Sequence, residues 1–369
     1  MSYNELKINL SNIKDNFSYM KSLGNEDKYY AVVKADGYGL GAIEISRYLE
    51  DIADGFCVAI VDEAVDLRKA GIKKDILVLG YHDKRDYEKI LKYNITTSVF
   101  SYEKAFEMNN FFKKRNKIGK IHIQIDTGHG RLGFQKSENS INQIEKISKL
   151  SNIKITGIYS HLSDRANEDK TYTYEQKKIF DYFLKELKNK NIDYGMTHLA
   201  NDAGVYNFNF EYDMARLGVC IYGEFPDSTM KEKLRKLKRT FTWKGIVTNV
   251  KYIDKGQTIS YGRSFMAKKR MKIATIGVGY ADGYKRSLSD IGYVLINGKK
   301  AKICGLVNMD QLMVDADNID VEIGDEAIFI GKSGNETISC EDFANWANTI
   351  SYEIMTSISK RVKRVYYEN

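Results

Sequence analysis

The sequence is poor in proline, cysteine and histidine, the residues that interrupt regular structure, form disulfides or bind metals. Its 369 residues include one proline, Pro226, and the abundance of lysine, asparagine and isoleucine indicates that codon usage explains this scarcity better than structure does. The four cysteines, at positions 57, 220, 304 and 340, have no paired spacing, which predicts reduced, mostly buried thiols rather than a disulfide framework. The five histidines form no cluster at local metal-ligand spacing, so we predict no metal site.

Long apolar runs are also missing. No run reaches the roughly 20 residues that a membrane-spanning helix needs, and the N-terminus has no signal-peptide pattern, so we expect a cytoplasmic protein without membrane association. The formal net charge is +8, spread over lysine-rich segments such as residues 231–239, which we predict to be a basic helix. Because no recognition motif accompanies this charge, it indicates a solvated helix face rather than a nucleic-acid-binding site.

Strand and helix patterns alternate from residue 11 to about residue 223. Helical patterns separate the apolar strands, for example at residues 87–92, 103–114, 141–149 and 174–188. The predicted strands are residues 30–33, 56–61, 76–79, 97–100, 121–125, 153–159, 196–199 and 219–222. Eight strands that alternate with helices predict an α/β fold, a closed (β/α)8 TIM-like barrel.

The pattern changes after Pro226. Residues 240–331 consist of short β-branched strands separated by glycine turns, which predict an antiparallel β domain. A helix at residues 340–349 and a closing strand at residues 363–367 follow. We place the domain boundary near residue 235, with a barrel over residues 1–235 and a C-terminal β domain over residues 236–369.

Lys34 directly follows the first apolar strand and precedes three glycines at alternate positions, Gly37, Gly39 and Gly41. A lysine at the end of a buried strand is costly unless its amine has a partner or takes part in chemistry. Glycines let the backbone approach a ligand, and the start of a helix, here near Ala42, favours an anion. The stretch suggests a Schiff-base lysine beside a phosphate. A dinucleotide fingerprint has different spacing, whereas a lone lysine reaching out of a strand end is an open alternative.

Two arginines lie next to predicted barrel strands, Arg131 in the loop after the fifth strand and Arg216 just before the last one. Arg131, flanked by glycines in the loop of residues 126–133, could direct its guanidinium at a carboxylate, or it could be an exposed loop residue. Arg216 precedes Gly218 and Val219, and we expect it to reach inward while the amides of these two residues stay free for an anion.

Histidines and polar clusters supply further candidates. His161 and His198 end the sixth and seventh predicted strands, where a histidine could stack on a cofactor ring or simply be satisfied by the backbone. In the predicted β domain, residues 259–263, 279–284 and 308–311 are polar or aromatic clusters that could equally be turns.

Taken in order, these motifs resemble the alanine racemase family, fold-type III enzymes that use pyridoxal 5′-phosphate. The likeness extends from the N-terminal helix to Arg364. It implies a barrel followed by a β domain, in a head-to-tail homodimer whose two active sites are shared across the interface. The implied reaction interconverts L- and D-alanine and supplies D-alanine for peptidoglycan. A serine or broader small-amino-acid racemase is the alternative, because pocket size separates such substrates by only about 1–3 kcal/mol.

The resemblance also implies a two-base mechanism. Lys34 would form the Schiff base with the cofactor and act as one base, and Tyr261 of the second subunit would act on the opposite face. Arg131 would lie near Tyr261 and the substrate carboxylate. Met309, also from the second subunit, would offer its backbone amide to that carboxylate, and Tyr284 would lie in the entryway.

The implied cofactor positions share the barrel's strand ends and one C-terminal motif. His161 would pack beside the pyridine ring, Arg216 would donate to the pyridine nitrogen, and Tyr38 would lie near the phosphate. The full set is Lys34, Tyr38, His161, Asn201, Asp202, Arg216, Gly218, Val219 and Lys360.

Three positions depart from the family pattern. Gln124 stands where members often carry a carbamylated lysine, so we expect either its amide or a bound chloride to hold Arg131. Asp202 replaces a phosphate-binding serine, and Lys360 replaces a phosphate-binding tyrosine. We hypothesise a linked exchange in which the charge of Lys360 makes the carboxylate of Asp202 tolerable.

Overall fold

A computed structural model describes residues 3–164, 169–208, 210–227 and 230–369. The chain divides into a barrel unit, Ile13–Gly37 with Ala42–Lys238, and a β unit that comprises the described residues up to Asn12, Tyr38–Gly41 and Arg239–Asn369. The N-terminal strand β1 (Glu5–Asn9) therefore belongs to the β unit. Over the described ranges, no helix is long and apolar enough to cross a membrane.

Eight parallel strands form the nearly closed barrel, as predicted. Their order around the sheet is β10, β2, β3, β4, β5, β6, β8 and β9, and the amide of Arg216 on β10 donates to the carbonyl of Ala200 just after β9, at 3.1 Å. A short strand, β7 (Phe134–Gln135), pairs beside β6. The barrel strands are β2 (Lys28–Val32), β3 (Gly55–Val58), β4 (Asp75–Val78), β5 (Thr96–Val99), β6 (Gly119–Asp126), β8 (Ile153–Tyr159), β9 (Met196–His198) and β10 (Met214–Leu217).

Helices follow the barrel strands, and their apolar faces pack inward at helical spacing. Ala42, Ile45, Ser46 and Leu49 are the buried residues of one such helix, α2. Ser101 caps another, α5, by accepting a hydrogen bond from the amide three residues on. The helices are α1 (Leu10–Lys21), α2 (Ala42–Leu49), α3 (Val61–Lys69), α4 (Tyr87–Lys92), α5 (Tyr102–Lys113), α6 (Glu138–Ser148), α7 (Thr171–Asn189) and α8 (Asp202–Asn207).

Two predicted elements of the barrel half are wrong. Val219–Tyr222 is a 3-10 helix rather than the eighth strand, which is Met214–Leu217. The ladder ends there because the amide of Gly218 donates to the carboxylate of Asp202 instead of to a neighbouring strand. Residues 231–236 form turns instead of the basic helix. Lysines and arginines at neighbouring helical positions repel each other, which disfavours a helix there.

The β unit is mostly antiparallel, as predicted. Its sheet runs in the order β16 (Lys299–Lys302), β15 (Tyr293–Ile296), β18 (Glu326–Ser333), β11 (Phe241–Ile253), β1 and β20 (Lys363–Tyr367). The pairing of β1 with β20 is parallel. Trp243 on β11 anchors its core, with its ring centroid 4.9 Å from that of Phe329. Residues 303–307 contribute only an isolated bridge, between Ile303 and Val314.

The strands of the β unit after the barrel are β11 (Phe241–Ile253), β12 (Thr258–Ile259), β13 (Phe265–Met266), β14 (Met271–Ile276), β15 (Tyr293–Ile296), β16 (Lys299–Lys302), β17 (Leu312–Asp315), β18 (Glu326–Ser333), β19 (Glu336–Ile338) and β20 (Lys363–Tyr367). Its helices are α9 (Cys340–Trp346) and α10 (Ser351–Ser357).

Candidate active site

The barrel unit brings its sequence-selected residues to the carboxyl ends of the parallel strands. Lys34 lies two residues after β2, and His161 lies two residues after β8. Arg216 is the penultimate residue of β10. Asn201 precedes α8, and its side chain accepts a hydrogen bond from the amide of Gly204. Barrels carry their active sites at this end, so the strand ends are the candidate site.

Lys34 opens a left-handed turn rather than a right-handed helix. Ala35 and Asp36 both have φ of 54°, a conformation that costs a non-glycine residue about 1–2 kcal/mol. Two carboxylates hold the turn: Glu63 accepts from the Ala35 amide at 2.6 Å, and Asp36 accepts from the Ala42 amide at 3.0 Å. Strain that the surroundings enforce so firmly is typical of a functional segment.

Arg216 is the most completely enclosed charge of the site, with 3% of its surface exposed. Its Nη1 lies 2.6 Å from Nδ1 of His198, and its Nη2 donates to the carbonyl of Ser160 at 2.7 Å. A longer contact, 3.4 Å, joins Nη2 to Nδ1 of His161. Among the described residues Arg216 forms no ion pair, so neutral acceptors alone hold this buried guanidinium.

The arginine dictates where two buried histidines carry their hydrogens. A guanidinium only donates, so Nδ1 of His198 accepts and its hydrogen lies on Nε2. That nitrogen is 2.9 Å from Nδ1 of His122, which therefore accepts as well. The remaining Nε2 of His122 carries the last hydrogen and has no partner within the described chain. Burial lowers the pKa of His198 well below its ordinary value and that of His122 to about 4, so both rings are neutral.

Gly157 makes room for this arrangement. A Cβ atom at Gly157 would lie 2.6 Å from the ring of His122, which is far closer than side chains approach each other. The Tyr159 ring stacks on His198 at a centroid distance of 4.7 Å and an angle of 8°. Burial raises the pKa of Tyr159 to about 12, so its phenol keeps its hydrogen.

Gln124 and Arg131 lie on the strand and loop of β6. Gln124 is buried, and its Oε1 accepts a hydrogen bond of 3.0 Å from the phenol of Tyr159. Arg131 is exposed and, within the part of the chain that the structure describes, forms neither a hydrogen bond nor an ion pair. Its positive charge works against the burial that raises the pKa of Tyr159. The loop itself is shaped by Asp126, which accepts from the amides of residues 128 and 130 at 3.0 Å each.

Gly218 was expected to offer a free amide to an anion, and this is wrong. Its amide donates to both carboxylate oxygens of Asp202, at 2.9 and 3.1 Å. Asp202 is 6% exposed and Val219 is fully buried, so the carboxylate is enclosed with its donor. The carboxylate of Asp202 thus takes the place of an external anion at the Gly218 amide. The family pattern has a serine hydroxyl at this position after Asn201.

In the β unit, Tyr261 and Met309 are exposed, with 71% and 53% of their surfaces accessible. Tyr261 begins a 3-10 turn, Tyr261–Arg263, and Ser260 just before it has φ of 68°. The Ser260 hydroxyl holds the turn by donating to the carbonyl of Leu306 at 2.7 Å. Lys360 is also exposed, and Tyr38 is buried with its ring 5.9 Å from that of Tyr352.

The assignment of Tyr284 to the entryway is wrong. Tyr284 is completely buried, with its ring 5.0 Å from that of Phe343, and a side chain without exposure cannot line an entrance. Tyr280 is 41% exposed, and its amide donates to the carbonyl of Asn308 beside Met309. Tyr280 is therefore the better entryway candidate of the same motif.

Sequence reasoning missed the inward layer beneath the site. His122, Tyr159 and Ser98 are buried polar residues on barrel strands. The sequence pattern that could have revealed them is the alternation of side chains along a strand. His122 and Gln124 are two residues apart on β6, so both face the inside of the barrel. A polar pair on the inner face of an otherwise apolar strand could have identified them.

Together, the fold and the site define a class: a barrel enzyme with an amine and a buried guanidinium at its strand ends and a β domain after the barrel. Family models agree in both halves. Residues 8–226 match "Alanine racemase, N-terminal domain" and residues 240–366 match "Alanine racemase, C-terminal domain". The chain therefore belongs to the alanine racemase family.

Individual proteins are similar over nearly the full length. Alanine racemase 1 of Clostridium acetobutylicum is 40% identical over 366 residues, which cover 98% of this chain and 95% of that protein. The alanine racemase structure of Clostridium difficile 630 has a TM-score of 0.95 and 34% identity, and the match covers 100% of this chain and 97% of the other. An alanine racemase structure of Bartonella henselae with covalently bound pyridoxal phosphate has a TM-score of 0.86, 28% identity and 100% coverage of both chains.

The lowered pKa of His122 makes a prediction about acid stability. Folding depresses this pKa from 6.5 to about 4, so stability is complete above the unfolded pKa and falls as the pH drops toward the folded one. When the pH is lowered from about 7.5 to about 5, His122 should reduce the free energy of unfolding by roughly 2 kcal/mol. His122→Asn should reduce the pH dependence of urea unfolding by that amount.

His82 provides a matched variant, because it is equally buried and its pKa is also lowered to about 4 by burial. His82→Asn should reduce the pH dependence similarly without touching the Arg216 network. An acid dependence in His122→Asn equal to that of the unmodified protein would contradict the buried, neutral state of this ring.

Proposed function

We propose that this protein racemises alanine with pyridoxal 5′-phosphate as its cofactor. The observation that carries the proposal is that two cationic side chains lie at the strand ends of the barrel. Lys34 opens a strained turn, and Arg216 is held by neutral hydrogen-bond acceptors. The alanine racemases that the chain resembles along its whole length support the same reaction. D-alanine for peptidoglycan, made in the cytoplasm, is the physiological product that we infer.

The donor chemistry of Arg216 fits the pyridine nitrogen of the cofactor. Its Nη1 and Nη2 are engaged, whereas its Nε has no hydrogen bond within the described residues and is not sealed from solvent. A ring nitrogen with a lone pair can accept from Nε. Because arginine gives up its proton reluctantly, it would leave that nitrogen largely unprotonated.

The other residues would divide the binding of the cofactor between them. Lys34 would hold its aldehyde carbon, and His161, half-buried beside Arg216, would pack against the ring. Asn201, Val219, Tyr38 and Lys360 would surround its phosphate, while the Gly218 amide stays bound to the carboxylate of Asp202. When bound, pyridoxal phosphate weakens the Cα–H bond of an amino acid by withdrawing the electron pair that the proton leaves behind.

Racemisation needs one base on each face of the Cα atom. Lys34 Nζ would take or return the proton on one face, and the phenol oxygen of Tyr261 on the other. Arg131 would hold the substrate carboxylate, with the Met309 amide as a second donor. Tyr280 would border the entrance.

We propose that Tyr261 and Met309 serve the active site of a second copy of the chain, in a homodimer. Tyr261 has 71% of its surface exposed, which is high for an aromatic side chain, and it sits beside a non-glycine residue, Ser260, at positive φ. Exposure of large apolar side chains together with local strain is typical of a surface that a partner covers.

The preferred amino acid is the open part of the proposal. Serine and other small amino acids differ from alanine by about 1–3 kcal/mol of pocket interaction, and Asp202 and Lys360 alter the cofactor wall of the same site. A coupled assay with L- and D-alanine, serine and lysine ranks these substrates directly.

Tyr261→Phe tests the two-base mechanism. Racemisation should fall about 100-fold or more in both directions, because general acid–base catalysis contributes on that order. Exchange of the Cα hydrogen with heavy water should persist for the one enantiomer whose proton Lys34 removes, and it can be followed by proton NMR.

Lys34→Ala is the companion variant. It should lose both the exchange and the visible absorbance of the bound cofactor. Equal loss of exchange for both enantiomers in Tyr261→Phe, with its absorbance intact, would contradict the assignment of two opposing bases.

Lys360→Met tests the role of the replaced phosphate-binding tyrosine. Loss of a charge-assisted contact should raise the dissociation constant of the cofactor about tenfold. Lys363→Met, an exposed lysine of the same segment, is the matched control. Equal affinities of the two variants in a spectrophotometric titration would remove Lys360 from the phosphate site.

A further inference from the structure

Glu63, in the first turn of α3, divides its carboxylate between two neighbouring strand ends of the barrel. Its Oε1 accepts a hydrogen bond of 2.6 Å from the amide of Ala35, directly after Lys34. Its Oε2 accepts from the amides of Ala59 at 2.7 Å and Ile60 at 3.3 Å, in the segment between β3 and α3. Because β2 and β3 are paired, one side chain ties the turn after β2 to the end of the neighbouring strand.

The contact with Ala35 acts on the peptide plane that leaves Lys34. Hydrogen bonding of this amide restrains rotation about the Cα–C bond of Lys34, since the peptide unit moves as one plane. On the other side of Lys34, the amide of Val33 is held by the carbonyl of Cys57 at 2.9 Å. The backbone on both sides is therefore fixed, and with it the direction in which the lysine side chain leaves the strand end.

Local preference would not keep the peptide plane in this position. Ala35, Asp36 and Gly37 have φ of 54°, 54° and 61°, a run of left-handed residues. Residues other than glycine adopt this conformation singly and seldom in succession. Within the turn, the Gly37 amide donates to the carbonyl of Val33 at 2.8 Å. The short contact with Glu63 is charge-assisted, which makes it one of the stronger restraints on the turn.

An ordinary helix cap explains only half of this arrangement. Glu63 is the third residue of α3, and a glutamate there commonly reaches back to the amide of the residue before the helix, here Ile60. Asp342, the third residue of α9, makes the same contact with the amide of Ser339 at 2.8 Å through a side chain one methylene shorter. The cap therefore does not require a glutamate, whereas the contact with Ala35 leads away from the helix.

We propose that Glu63 is a positioning residue for Lys34, an inference that rests on the proposed role of Lys34 as one of two bases. By holding the Lys34–Ala35 peptide plane, Glu63 directs Nζ at one face of the substrate Cα atom. Both of its carboxylate oxygens accept from backbone amides, so it acts through Lys34 and not on the substrate. Loss of the contact should impair the proton transfer on the Lys34 face and spare the one on the opposite face.

Glu63→Asp separates the cap from the contact with Ala35. Aspartate keeps the charge and, as Asp342 shows, is long enough to cap a helix from the third position. It is too short to bond both strand ends, so the variant should fold with its Ala35 amide released. Hydrogen exchange of that amide, followed by NMR, should become at least about tenfold faster, while exchange of the Ile60 amide should stay within about threefold. This measurement requires neither cofactor nor activity.

Glu50→Asp is the matched control. Glu50 is half-buried like Glu63, and its Oε1 also accepts from two backbone amides, those of Lys73 at 2.6 Å and Lys74 at 3.3 Å. These amides precede β4 and therefore lie at the amino end of the parallel strands, opposite to the end that carries Lys34. The control loses a comparable contact without disturbing the candidate site.

Exchange of the Cα hydrogen of alanine in heavy water tests the positioning role. In Glu63→Asp, exchange should slow about tenfold for the enantiomer whose proton Lys34 removes, and it should stay within about threefold for the other. This pattern is the reverse of that expected for Tyr261→Phe, so the two variants together show which enantiomer belongs to which base. Glu50→Asp should change the exchange of neither enantiomer.

Equal slowing for both enantiomers in Glu63→Asp, or the same change in Glu50→Asp, would overturn the positioning role. Glu63→Gln is the second variant should the first fail to fold: it keeps the length of the side chain, has one acceptor for two strand ends, and should show the same selective loss. Inactivity of the unmodified protein would count against the proposed function, whereas an unchanged Ala35 amide in both variants would overturn the role of Glu63 whatever the activity is.

Discussion

Arg216 is the constraint on which the rest of the barrel interior depends. Burying a cation is costly unless its donors are satisfied, and the usual partner is a carboxylate. Here the described residues offer a carbonyl and an imidazole nitrogen instead. The charge of the guanidinium is therefore left uncancelled, and the surrounding rings must stay neutral and turn their lone pairs toward it.

Two lines of polar side chains lie inside the barrel beneath the strand ends. One runs from Arg216 through His198 to His122, and the other joins Tyr159 to Ser98 and Gln124. They meet where the Tyr159 ring stacks on His198. The line from Arg216 has a fixed direction of donation, because the guanidinium only donates and each imidazole then accepts at its Nδ1.

The sequence predicted those parts of the molecule that local pattern determines. The strand Ile153–Tyr159 was predicted to the residue, because β-branched residues bounded by polar ones leave few alternatives. Val219–Tyr222 was not, since a short apolar run suits a 3-10 helix as well as a strand, and the deciding contact between Gly218 and Asp202 is not local. Strand β1 escaped notice for the same reason, because its parallel partner, β20, lies at the opposite end of the chain.

The candidate site shows the same division. Lys34 and Arg216 were visible as charges next to buried strands, a conflict that sequence alone displays. The burial of Tyr284 and the capture of the Gly218 amide depend on which side chains the fold brings together, and no spacing rule contains that information. His122 and Ser98 look like ordinary strand residues in the sequence. Only the closed barrel shows that both are buried in its interior.

The most direct test of the Arg216 account is a nitrogen-15 NMR spectrum of the histidine-labelled protein. We predict that at neutral pH His198 and His122 are both neutral, with hydrogen on Nε2 and a bare Nδ1, and that this persists to about pH 5, above the pKa of about 4 of His122. A hydrogen on Nδ1 of either ring, or a charged ring near neutral pH, would contradict the claim that the guanidinium orders the interior of the barrel.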